Sequence, residues 1–151
     1  MLPPILQHMN CDTSDPALKI FLVEDSILVR RRMVLLFSAI DGVEIAGEAE
    51  EALAAIAAIA AMKIDVVIVD LRLTASTGME VVAALAQHRH HVTTIVLTNH
   101  ANPSFREACM AIGAHYFFDK TSEFQLARDT IEKLARERAA GATQERGAHH
   151  V

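Results

Sequence analysis

Two stretches decide how this chain is read: Ile20-Phe21-Leu22-Val23-Glu24-Asp25-Ser26 and Val66-Val67-Ile68-Val69-Asp70. Each is a short apolar run that stops abruptly on acid. A run apolar at every position, not at every second one, suits a strand buried on both faces. The pattern outside these runs is helical. Ser26 is placed to cap a helix whose apolar positions Val29, Met33, Leu36, Phe37 and Ile40 follow helical spacing, and Asp41-Gly42 breaks it. Val43–Ala46 is then a strand, and the Ala- and Ile-rich segment from Glu50 to Met62 is a helix. After Asp70, Leu71–Ser76 reads as a loop, Thr77–Gln87 as a helix, and Val92–Leu97 as a strand ending on Thr98. Pro103 opens a further helix that Gly113 closes. His115–Phe118 is a short aromatic strand ending near Lys120. Glu123–Arg138 is the last helix, with Phe124, Ala127, Ile131 and Leu134 as its stripe.

Strands and helices therefore alternate without exception, which predicts an α/β protein with a parallel sheet covered on both sides. The expected architecture is a flavodoxin-like (βα)5 three-layer sandwich, a five-stranded parallel sheet in the order 2-1-3-4-5. Residues 1–18, punctuated by Pro3, Pro4 and Pro16, are expected to form a flexible arm, and residues 139–151 a flexible tail around the 19–138 body. The 151 residues suit one domain, and at 52% apolar they can bury a full core. A net charge of -5, no Trp and one Tyr argue against a nucleic-acid surface. Cys11 and Cys109 have no metal-type spacing and read as free thiols of a reducing cytoplasm. Ala52–Met62 is too short to span a membrane, and the N-terminus lacks the pattern of a secretion signal. The expectation is a soluble, cytoplasmic protein with no membrane partner.

The chemistry gathers at one edge. Glu24 and Asp25 follow strand one, Asp70 ends strand three, Thr98 ends strand four and Lys120 follows strand five. In this fold, all five reach the carboxyl ends of the strands, where ligands bind. Converging carboxylates repel, so a cation must offset them: a divalent ion, Lys120, or both. The set suits Mg²⁺ and phosphoryl transfer. Asp25 and Asp70 are candidate direct ligands, Glu24 a ligand through water, and Asp70 a candidate nucleophile. Lys120 and Thr98 are placed to meet phosphoryl oxygens.

With those motifs in hand, the chain resembles the receiver domain of bacterial two-component response regulators. The matching segments are Phe21–Ser26, Val67–Leu71 with Gly78, Ile95–Thr98 and Gly113–Lys120. The resemblance implies a non-enzymatic phosphoacceptor, with Asp70 taking the phosphoryl group from a sensor histidine kinase or a histidine phosphotransfer protein. It implies a Mg²⁺ site made by Glu24, Asp25, Asp70 and the backbone carbonyl of Arg72. It also implies a phosphate-sensing pair, Lys120 and Thr98, with Phe117 as the aromatic that follows Thr98. Arg72 and His100 fall where the family tunes loss of the phosphoryl group. Three positions depart from the pattern: Thr74 and Thr121 stand where Pro is usual, and Asn99 where a small residue is usual.

The resemblance and the length together predict a stand-alone module that signals by phosphorylation-dependent protein contact, as a monomer or a phosphorylation-linked homodimer. Two other functions compete. One is a degenerate receiver-like interaction module, motivated by the three departures. The other is an aspartate-nucleophile phosphatase, suggested by Asp70-Leu71-Arg72-Leu73-Thr74 but lacking the second carboxylate that such enzymes use as general acid. Arg30-Arg31-Arg32 point in different directions around a helix and read as solvated, with kinase docking as the other role. His88, His90 and His91 read as a solvated loop.

Overall fold

A strand apolar on both sides belongs in the middle of a sheet, and three such strands form the centre here. The protein is described by a computed structural model covering the backbone of residues 16–89 and 91–149, and side chains within that set through Gly141. The strands are β1 (Leu18–Val23), β2 (Val43–Ala49), β3 (Val66–Val69), β4 (Thr93–Thr98) and β5 (Tyr116–Asp119). They form one sheet in the order β2-β1-β3-β4-β5, parallel at every pairing. The helices are α1 (Ile27–Ser38), α2 (Ala52–Ala60), α3 (Gly78–His88), α4 (Pro103–Ile112) and α5 (Phe124–His149). This is the expected flavodoxin-like arrangement.

Side-chain alternation divides the central strands between two cores. Phe21, Val23, Val67, Val69 and Val96 face α2, α3 and α4, meeting Ala55, Ile59, Val81, Val82, Leu85 and Cys109. Ile20, Leu22, Ile68, Ile95 and Leu97 face α1 and α5, meeting Met33, Phe37, Ala127, Ile131 and Ala135. Burying each large aliphatic or aromatic side chain is worth ~1.5–3 kcal/mol. This burial matters most for α2, whose nine residues are too few to hold a helix alone.

Several boundaries differ from the sequence reading, each for a physical reason. β1 begins at Leu18, which is buried and pairs with Val43, so residues 16–18 lie within the described body and 1–15 outside it. β2 runs on to Ala49 because, after a register shift between Ile20 and Phe21, the backbone of β1 keeps pairing with Gly47 and Glu48. α2 is shorter than Glu50–Met62. Its N-cap residue Glu51 makes no side-chain cap, and Ser76 Oγ, from the loop after β3, accepts from Ala52 N at 2.9 Å instead. α5 continues past Arg138 to His149, into the segment expected as a tail. Ala is the commonest residue of that segment, Gln, Glu and Arg also favour a helix, and its two glycines, Gly141 and Gly147, cost only ~1 kcal/mol each. Ser26 caps α1 as expected, accepting from Val29 N, and Gly113 closes α4 with a φ of 124°. Among the described residues, no helix is long and apolar enough to cross a membrane.

Candidate functional site

Parallel register delivers the acidic residues to one place. Val23 lies beside Val69, Val69 beside Val96, and Thr98 beside Asp119. The next residues continue the ladder: Glu24 N donates to Ala49 O at 3.0 Å, Asp70 N to Val23 O at 3.0 Å, and Lys120 N to Thr98 O at 2.8 Å. Glu24, Asp70, Thr98 and Lys120 are thus placed together at the carboxyl edge by backbone hydrogen bonds, before any side chain interacts, and Asp25 follows Glu24 in the chain.

The side chains then form an ion triad. Lys120 Nζ donates to Glu24 Oε1 at 2.5 Å and to Asp70 Oδ2 at 2.9 Å. The Glu24 side chain is 2% exposed, Asp70 10% and Lys120 13%, so the interaction is poorly screened. Burial pushes the Glu24 carboxyl up, against the pull of Lys120 and of the Ser26 N–H, which donates to Glu24 Oε2. Desolvation pulls the Lys120 ammonium down, but its hydrogen bonds to Glu24 and Asp70 outweigh that and raise it overall. The second oxygen of Asp70, Oδ1, meets only a long contact, 3.4 Å from Arg72 N. The Oδ2 of Asp25 accepts from Thr74 Oγ1 at 2.9 Å.

The surroundings hold these groups in place. A Cβ on Gly78 would lie 2.0 Å from the carbonyl oxygen of Asp70, so only glycine lets α3 start against that peptide. Arg30 was not expected at the site. Its guanidinium donates to Glu24 O at 2.7 Å, Glu48 Oε1 at 2.9 Å and Glu50 Oε1 at 3.2 Å, and its side chain is 12% exposed. The sequence signal for it is an arginine one turn after the Ser26 cap, beside the acids. The three arginines thus divide: Arg30 faces the site, Arg31 is exposed, and Arg32 lines a cavity of about 470 Å³ between α1 and α5 that also reaches Lys120.

Thr98 is fully buried, and its Oγ1 accepts from His100 N at 3.1 Å. Phe117 is buried in the core on β5. Arg106 lies 5.0 Å from its ring centroid and donates to its carbonyl. Asn99 and Thr121, two of the departures, are joined: Thr121 Oγ1 and Asn99 Oδ1 are 3.2 Å apart, tying the loop after β4 to the loop after β5. No cis peptide occurs among the described residues, Lys120–Thr121 included. His88 ends α3 at the opposite edge of the sheet, and His90 lies outside the described residues.

Among the described residues, no three His, Cys, Asp or Glu side chains are gathered as a ready metal cage. The Lys120 ammonium lies against Glu24 and Asp70, where a cation would otherwise be needed. The donor chemistry nonetheless fits Mg²⁺, which is held through one or two carboxylates and keeps several waters. Asp25 and Asp70 supply carboxylate oxygens of that kind.

Comparison with known proteins agrees with this geometry. Residues 20–132 match the family model of the response regulator receiver domain. Among curated relatives, the DNA-binding transcriptional activator DevR/DosR of Mycobacterium tuberculosis is 30% identical over 73% of this chain and 51% of its own. The protein-glutamate methylesterase/protein-glutamine glutaminase of Clostridium acetobutylicum is 25% identical over 82% of this chain and 36% of its own. The chain spans about half or less of the length of these two relatives. Among solved structures, the signal receiver domain of NarL from Mycobacterium tuberculosis has a TM-score of 0.70 at 26% identity, covering 83% of this chain and 98% of that one. A two-component response regulator of the LuxR family from Aurantimonas has a TM-score of 0.74 at 23% identity, covering 87% and 99%, and supports the fold alone. With the family model covering most of the chain and the acids, lysine and threonine at its strand ends, this chain belongs to the response regulator receiver domain family.

Proposed function

We propose that Asp70 accepts a phosphoryl group from a histidine kinase or a histidine phosphotransfer protein, and that the modified domain signals by protein contact. One observation carries this reading. Lys120 holds Asp70 by Oδ2, leaving Oδ1 with a single long contact and open to an incoming group. In the proposed step, Oδ1 attacks phosphorus in line with the bond to the donor imidazole nitrogen. The P–N bond breaks, its electron pair stays on the imidazole, and an acyl phosphate forms on Asp70. Mg²⁺, when bound, supplies positive charge against the transferring oxygens. Asp25 and Asp70, with Glu24 through water and the Arg72 carbonyl, are the groups assigned to hold it. Lys120 keeps Asp70 oriented and offsets its charge. The Thr98 hydroxyl then turns to a phosphoryl oxygen, with Phe117 following from β5. Phe105 and Met110 on α4 and Leu126 on α5 are large apolar side chains left exposed, which supports output through a docking surface.

Acetyl phosphate with Mg²⁺ should add one phosphoryl group by intact mass, and Asp70→Asn should remove the addition. Labelling that survives Asp70→Asn would sink the assignment. The degenerate-module reading draws on Thr74, Asn99 and Thr121, of which the last two are joined between the loops after β4 and β5. An NMR spectrum unchanged by beryllofluoride and millimolar Mg²⁺ would favour it.

A further inference from the structure

Thr74 stands where this family usually has a residue with no donor, and here its hydroxyl bonds to one of the acids assigned to the cation. We infer that Thr74 is a positioning residue for Mg²⁺: by holding Oδ2 of Asp25, it presets that carboxylate for the ion. The inference rests on the reading of Asp25 as a ligand.

Three observations support it. First, the contact is direct, 2.9 Å from Thr74 Oγ1 to Asp25 Oδ2, and it bridges the loop after β1 and the loop after β3. Second, the loop carrying Thr74 is anchored on both sides. Leu73 is buried in the core and its N–H donates to Ser76 O, while Ser76 Oγ caps α2 through Ala52 N. Thr77 Oγ1 closes the base by donating to Leu71 O at 3.2 Å. The β-branched Thr74 is stiff at χ1, so its hydroxyl points from a fixed base. Third, the other two acids are already held. Glu24 is bound by Lys120 and Ser26 N, and Asp70 by Lys120. Thr74 gives Asp25, which is half-buried, an equivalent tether.

One hydroxyl proton engages one lone pair. A carboxylate has about four acceptor sites, so Oδ1 stays available to a cation. What the bond removes is the freedom of the Asp25 side chain, which a cation would otherwise have to restrict on binding. Outer partners of metal-bound carboxylates act this way, and losing one costs ~10–100-fold in metal affinity.

The test is Mg²⁺ titration by calorimetry and by amide NMR shifts, without a phosphodonor, on wild type, Thr74→Val, Thr74→Ser and Asp25→Asn, with thermal unfolding of each. Val keeps the shape and removes the hydroxyl. It should weaken Mg²⁺ binding about tenfold, the low end of that range because the contact is solvent-exposed. Ser should restore affinity to within about twofold, since it keeps the donor. The unliganded melting temperatures of Val and Ser should match wild type. Mg²⁺ binding to Thr74→Val as tight as to wild type, or tighter, overturns the positioning role, and so does failure of Ser to rescue. If Asp25→Asn leaves Mg²⁺ binding intact, or wild type does not bind it at all, the ligand assignment in the proposed function falls as well. Loss on Asp25→Asn with no change on Thr74→Val overturns the Thr74 inference alone.

Discussion

The two ends of the sheet put their polar side chains to different uses. At the amino end, side chains add to a ladder that backbone already carries, as from Leu18 N to Gly42 O, Asp65 N to Lys19 O and His115 N to Thr94 O. Asp65 Oδ2 accepts from Lys19 N at 2.8 Å, and the exposed His115 uses Nδ1 to accept from Thr94 N at 3.0 Å, where a strand carbonyl would serve. At the carboxyl end, backbone likewise carries the ladder, and the side chains, besides accepting N–H groups as Glu24 does from Ser26 N, pair with one another in a buried triad of one cation and two acids. The first arrangement stabilises pairing and little else. The second places charge where it is poorly solvated, which costs stability unless every member is paired. Chemistry concentrates at the end where charged side chains pair with one another and not only with the backbone.

The widest gap between the ends should follow loss of the lysine. Lys120→Met leaves Glu24 and Asp70 without their shared cation and should lower stability by about 3 kcal/mol at neutral pH in urea unfolding. Adding Glu24→Gln should recover part of it. An unchanged midpoint for Lys120→Met would remove the buried triad as the distinguishing feature of this end. The same residue predicts a pH dependence. The Lys120 pKa is raised in the fold, so its contribution is complete below the ordinary lysine value of 10.5 and is lost as pH rises through the raised one. The stability difference between wild type and Lys120→Met should therefore hold through neutral pH and shrink above 10.5.

A smaller effect is expected from Arg30, which props the carboxyl edge from behind. Arg30→Ala removes charged hydrogen bonds from a largely buried side chain and should cost about 2 kcal/mol. Arg30→Lys should restore only part, because one ammonium cannot reproduce a fork that meets three acceptors. Full rescue by lysine would reduce Arg30 to a point charge. The smallest effect belongs to the amino end. His115→Phe leaves the N–H of buried Thr94 without its acceptor and should cost about 1 kcal/mol, with faster hydrogen exchange at Thr94 and phosphorylation of Asp70 unaffected. A matching loss of phosphorylation would show that the two ends are coupled through β4 and β5.

Much of this was legible in the sequence because it depends on short-range rules. Apolar runs ending on acid mark strands buried on both faces, and Ser26, Pro103 and Gly113 mark helix ends through local backbone chemistry. The position of Asp70 follows from the same rules, since it terminates such a run, and Lys120 directly follows the short aromatic strand that ends on Asp119. The misses were long-range. The cap of α2 comes from Ser76, and β2 extends through Gly47 and Glu48 because a partner strand pairs with them. Arg30 reads as one of three solvated arginines until the end of β2 places Glu48 beside it.

The sequence alone determined the alternation of strands and helices, and from it the edge at which the acids, Thr98 and Lys120 meet, because hydrophobic periodicity and parallel connection leave little choice. Tertiary structure decided which of those groups touch: Lys120 shared between Glu24 and Asp70, Thr74 on Asp25, and Asn99 with Thr121. Such contacts depend on differences of about an ångström between loops far apart in the chain, and hydrogen bonds weaken steeply over that range.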